Sequence, residues 1–161
     1  MKNILLFLFI GLFLTCDGNN PKQLWEQVIK YRQEKNLRES IAALNEIIET
    51  YPESEYAPQA IYQIGDIYLN EVKDYDFAID YFKKVMAVYP DSPESKKANF
   101  MVGYVYSNNL QSYSEAKEYY TLFIEKYPES ELVPSVEYEL EILEPLFKQI
   151  DSLNAIARKE L

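Results

Sequence analysis

The chain of 161 residues contains no histidine and one cysteine, Cys16. Without imidazole, serine triads, Cys-His pairs and nearly every zinc arrangement are ruled out, and a lone cysteine can form no disulfide within the chain. Glycine is scarce, at 4 residues, and none sits in a glycine-rich, phosphate-cradling loop. Basic side chains are in the minority, 16 against 26 acidic. They form no basic stripe able to displace counterions from a phosphate backbone, so nucleic acid is excluded as a partner. Paired carboxylates could still do acid–base work, but here they fall on solvated helix faces with no apolar enclosure to shift them. The sequence therefore offers no catalytic residue, no metal site and no cofactor site. Apolar runs are short too: the longest, Ile4 to Leu14, has 11 residues, where a membrane-spanning helix needs about 20.

That run follows Lys2 and ends at Thr15-Cys16, the layout of a secretory signal peptide to be set aside from fold reasoning. No pair of small residues suited to ordinary signal-peptide cleavage follows before Pro21. The segment Leu12-Phe13-Leu14-Thr15-Cys16 resembles the lipobox of bacterial lipoproteins. The resemblance implies cleavage before Cys16, which becomes a diacylated amino terminus. The alternative is an uncleaved apolar anchor with Cys16 as a bystander; either way the body is exported. Removal of residues 1–15 takes away Lys2 alone, leaving 15 basic against 26 acidic side chains and a formal charge of −11. The remaining length suffices for one domain with a modest continuous core.

What is present in abundance is repetition. Tyr51-Pro52-Glu53-Ser54, Tyr89-Pro90-Asp91-Ser92 and Tyr127-Pro128-Glu129-Ser130 recur at intervals of 38 residues, and a fixed period of this size means a solenoid. The same interval relates Ala60 to Ala98, Ile64 to Val102, Gly65 to Gly103, Tyr68 to Tyr106, Ala78 to Ala116 and Phe82 to Tyr120. Within one unit, Ala57, Ala60, Ile61, Ile64 and Tyr68 mark one face of a first helix, helix A. Tyr75, Ala78, Phe82, Val85 and Tyr89 mark a second, helix B. Proline after each Tyr ends helix B, and the Ser that follows suits capping of the next helix. A glycine inside a helix costs about 1 kcal/mol relative to alanine, so Gly65 and Gly103 imply close contact with helix B, with small Ala78 and Ala116 at the facing position.

Gly65, Tyr68, Ala78, Phe82 and Pro90, then Gly103, Tyr106, Ala116, Tyr120 and Pro128, resemble the signature positions of tetratricopeptide repeats. The resemblance implies an all-α, right-handed superhelix of about three repeats plus a partial repeat and a C-terminal capping helix. The first repeat carries Leu24, Trp25, Val28 and Tyr31 on helix A, with Val28 in place of the glycine. In the last, Glu141 and Glu144 replace the glycine and the tyrosine, and Pro145 is expected to interrupt or restart the helix before a cap with Leu146, Ile150, Leu153 and Ala157 on its apolar stripe. The expected division is a signal peptide over 1–15, the lipidated cysteine and tether over 16–21, the solenoid over 22–144 and the cap over 145–161.

In that family, positions one helical turn apart on successive helices A line the inner groove. By resemblance these are Trp25, Ile29, Tyr62, Asp66, Leu69, Phe100, Tyr104, Asn108 and Tyr138, joined by Arg32, Asn70, Ser107 and Ile142, with Gln59 and Lys97 at the helix starts. Such a lining suits an extended or helical peptide with apolar anchors; packing between repeats is the competing role for the same aromatics. Lipobox and repeats together resemble the D-subunit lipoproteins of the outer-membrane β-barrel assembly machinery, and the repeats resemble those of the Tol-Pal-associated periplasmic coordinators. The resemblance implies a scaffold for protein or peptide partners in envelope assembly, attached through lipid to the periplasmic face of the outer membrane. A structural or pilotin-like subunit of an envelope secretion or pilus complex, using its outer surface, is the alternative.

Overall fold

The computed structural model describes residues 20–157. Cys16 and the lipobox lie outside the described residues, as do the side chains of Ile150, Leu153 and Ala157. Among the described residues every regular element is helical: α1 Pro21–Gln33, α2 Leu37–Thr50, α3 Tyr56–Ile67, α4 Tyr75–Val88, α5 Pro93–Asn108, α6 Tyr113–Lys126 and α7 Val133–Ala157. A π-helical turn, Tyr68–Val72, prolongs α3. Each helix packs chiefly on its neighbours in sequence, as short connections between helices require. The expected all-α hairpin array is therefore the fold, with α1, α3, α5 and α7 as helices A.

Local chemistry fixes where each helix begins. The Asn20 side chain accepts from the Gln23 amide at 2.9 Å while the Gln23 side chain accepts from the Asn20 amide at 3.0 Å, a reciprocal capping box. Asp74 caps α4 by accepting from Phe77 N at 3.2 Å, and Ser92 caps α5 by accepting from Ser95 N at 3.1 Å. The Tyr-Pro-x-Ser motif is a repeated turn. The serine amide donates to the tyrosine carbonyl three residues back at 3.0, 3.1 and 3.0 Å in the three copies. The turns at the other end also repeat, through residues that look unremarkable in sequence. Lys35, Lys73 and Gln111 adopt left-handed φ of 56, 65 and 54°, and the residue after each donates its amide to Tyr31, Tyr68 or Tyr106 O.

Three buried clusters run through the stack, centred on Leu24, Leu44 and Ile64, on Ile61, Phe82 and Val102, and on Tyr120, Phe123 and Val136. The glycines have a sharper role than the sequence implies. A Cβ on Gly65 would stand 2.8 Å from Phe82 Cε1, and one on Gly103 would stand 2.7 Å from Tyr120 Cδ1. The group facing each glycine is thus an aromatic ring of helix B rather than Ala78 or Ala116, although both alanines are fully buried. The first repeat solves the same problem in reverse: Val28 fills the glycine position, and the ring position, 38 residues before Phe82, is the smaller Leu44.

The C-terminal end departs from expectation. Helix α7 runs without a break through Pro145, so the last helix A and the cap are one element. Leu143 before the proline, and Leu146 and Phe147 after it, all pack into the last cluster; Pro145 itself is exposed, on a side where water can satisfy the freed carbonyl. Glu141, at the position of Gly65 and Gly103, is exposed together with Glu137 and Glu144.

Candidate protein-binding face

The sequence series on helices A divides between packing and exposure. Trp25, Tyr62 and Phe100 are half-buried. The Trp25 ring lies 5.8 Å from that of Tyr56, Tyr62 lies 5.3 Å from Phe82, and Phe100 lies 6.0 Å from Tyr120. Tyr138, which has no helix B opposite it, is 62% exposed. One turn further along, Ile29, Tyr104 and Ile142 are also exposed, and the rings of Tyr104 and Phe100 are 6.4 Å apart. Of the eight exposed large apolar side chains on the described residues, these four belong to the helix A series, and Val72, Phe77, Val88 and Leu122 do not.

At the α1 end of the same face Ile29 stands beside polar groups. Arg32 of α1 reaches Asp66 at 3.6 Å and Glu71, in the π-helical turn, at 2.6 Å. Asn70 donates to Asp66 Oδ1 at 2.7 Å. These contacts tie the first repeat to the second. Toward the starts of α1, α3 and α5, Trp25, Gln59, Tyr62, Gln63, Glu94 and Lys97 line a hollow of about 180 Å³. Burial, followed by the negative charges of Asp66 and Glu94, holds the Tyr62 phenol above its ordinary pKa, so it remains a neutral hydrogen-bonding group. Asn108 is exposed and donates to the Tyr104 carbonyl at 3.2 Å.

Leu69 does not belong to this face. It is 4% exposed and sits in the middle cluster, because it falls in the π-helical turn, where each residue advances through a smaller angle than in an α-helix. The sequence reading missed Glu71, Gln63 and Glu94. Gln63 stands four residues after Gln59 and Glu94 three before Lys97, the spacing of neighbours on a helix surface, and that signal could have found both. Among the described residues no cluster of His, Cys, Asp or Glu could hold a metal ion, and no helix is long and apolar enough to cross a membrane.

Stacked antiparallel hairpins with glycine-to-ring contacts and an amphipathic helix A face define a tetratricopeptide-repeat protein. The tetratricopeptide-repeat profile matches residues 23–54, which cover α1 from its third residue, α2 and the first Tyr-Pro-x-Ser turn. The profile described as outer membrane lipoprotein (YfiO) matches residues 58–153, more than half of the chain. The chain belongs to this outer membrane lipoprotein family. Its members are non-enzymatic scaffolds of the cell envelope, working through protein–protein contacts in outer-membrane assembly. No match was found among curated proteins.

Proposed function

We propose that the protein is a lipid-anchored scaffold on the periplasmic face of the outer membrane, tethered through Cys16, whose helix A face receives a segment of a partner engaged in envelope assembly. The observation that carries the reading is the collection of Ile29, Tyr104, Tyr138 and Ile142 on one exposed face beside a polar node built on Arg32. An extended or helical segment with apolar anchors at one end and hydrogen-bonding groups at the other complements that lining. Aromatic anchors give contact area at low cost in side-chain entropy, and Tyr138 and Tyr104 are positioned to supply it. Trp25, Tyr62 and Phe100 act as the half-buried floor.

The test is crosslinking in living cells from Tyr104 and Tyr138, followed by capture with a Tyr104→Ala, Tyr138→Ala double variant. Envelope proteins should be recovered by the parent, and the variant should lose at least ten-fold in capture while its thermal midpoint stays within a few degrees. Recovery of cytosolic proteins alone, or undiminished capture by the variant, would overturn the reading.

A further inference from the structure

We propose that the edge carrying the three Tyr-Pro-x-Ser turns is the membrane-facing edge of the molecule, presented to a surface of zwitterionic lipid headgroups. The inference rests on the reading of Cys16 as the lipidated residue. Consecutive helices alternate in direction, so the start of α1 lies at the same edge as the ends of α2, α4 and α6 and the starts of α3, α5 and α7. That shared edge is where Pro52, Pro90 and Pro128 are exposed. From Cys16 to Pro21 there are five peptide units, which reach at most about 18 Å fully extended. The capping box on Asn20 ends the helix there, so the tether starts from this edge and not from a turn higher up.

The geometry then sets the attitude of the whole array. A 14-residue helix such as α2 is about 21 Å long, so the turns at Lys35, Lys73 and Gln111 stand that much farther from the lipid. The helices stand upright on the bilayer, the stacking direction lies parallel to it, and the helix A face looks sideways. Helix α7, with 25 residues, is about 37 Å long and overhangs the far edge by roughly 15 Å. The turns at the near edge carry exposed carboxylates, Glu53 and Glu55 in the first, Asp91 in the second, and Glu129 and Glu131 in the third. An anionic lipid surface would repel this row, whereas headgroups bearing an ammonium match it. The edge is therefore held close by the anchor and tolerated by a zwitterionic leaflet.

The experiment uses the full chain purified from bacterial membranes in its acylated form and reconstituted into phosphatidylethanolamine–phosphatidylcholine vesicles with acceptor dye on a fraction of the headgroups. With the Cys16 thiol acylated, single cysteines at Glu53→Cys or Glu129→Cys label the near edge, and Asp76→Cys or Ser114→Cys label the far edge. Energy transfer from donor dye should be at least about two-fold more efficient from both near-edge sites than from both far-edge sites. Equal transfer, or the reverse order, from protein that floats with the vesicles overturns the orientation alone. Failure of the unsubstituted chain to float, or flotation undiminished by Cys16→Ser, removes the anchor reading and this inference with it.

Discussion

The contact between Gly65 and Phe82 permits a prediction in which two effects of known size oppose each other. Replacing Gly65 by alanine would by itself favour the helix by about 1 kcal/mol. The new Cβ, however, would stand 2.8 and 2.9 Å from two carbons of the Phe82 ring, where carbons prefer about 3.5–4.0 Å. The ring is completely buried, so it cannot swing into solvent and must displace its neighbours by about 0.7 Å. Overpacking of this kind costs about 1–3 kcal/mol and occasionally more, so we expect Gly65→Ala to destabilise the array by about 1 kcal/mol. Phe82→Leu alone should leave a void and also destabilise, by about 1–2 kcal/mol. The double variant shifts bulk from helix B to helix A in the direction of the first repeat, where Val28 and Leu44 hold these positions, and should be more stable than the sum of the single effects by about 1 kcal/mol. Urea unfolding followed by circular dichroism measures all four corners of this cycle. A Gly65→Ala protein as stable as the parent, or strict additivity in the double variant, would refute the steric account.

Other consequences can be checked independently. Arg32→Ala should cost roughly 1 kcal/mol, the scale of a part-exposed ion-pair network, and the difference from the parent should shrink in 1 M salt; a salt-independent difference would assign the loss to packing. Ser92→Ala removes a side-chain cap and should cost about 1 kcal/mol, whereas Ser54→Ala should cost less, because α3 has no side-chain cap to lose. Equal losses in the two would count against a capping role. Burial raises the phenols of Tyr62, Tyr81, Tyr89 and Tyr120. Burial lowers the Lys83 ammonium, but its hydrogen bonds to Tyr106 and Tyr119 outweigh that and raise it. Groups with raised folded-state values contribute stability that is complete below the unfolded value, about 10 for tyrosine, and is lost as pH climbs above it. The urea midpoint should therefore fall steeply above pH 10, with late tyrosinate absorbance at 295 nm; a midpoint flat to pH 11 would contradict this.

The repeating turns were legible because proline and tyrosine mark them chemically, and the hairpin array follows from the 38-residue interval without reference to coordinates. The opposite turns were not, since Lys35, Lys73 and Gln111 are residues with no preference for left-handed backbone; what the three share is the bond from the next residue's amide to a tyrosine carbonyl of the preceding helix. Pro145 read as a break because a proline weakens any helix interior, and only the shared cluster of Leu143, Leu146 and Phe147 shows why the helix continues. The helix A face was legible as a stripe, but a stripe cannot separate packed rings from presented ones. That distinction depends on what lies opposite each ring: Phe82 and Tyr120 stand against Tyr62 and Phe100, whereas among the described residues no helix B follows α7 to cover Tyr138.

Glu141 changes the character of the last helix A. A further hairpin, or the first hairpin of a second molecule, would have to lay a bulky ring where this carboxylate meets water, and would strip Glu137 and Glu144 of solvent as well. Open-ended, head-to-tail polymerisation is a standing hazard for modular arrays crowded on a two-dimensional surface. The exposed carboxylates of Glu137, Glu141 and Glu144 make that side of α7 a costly place to bury a ring.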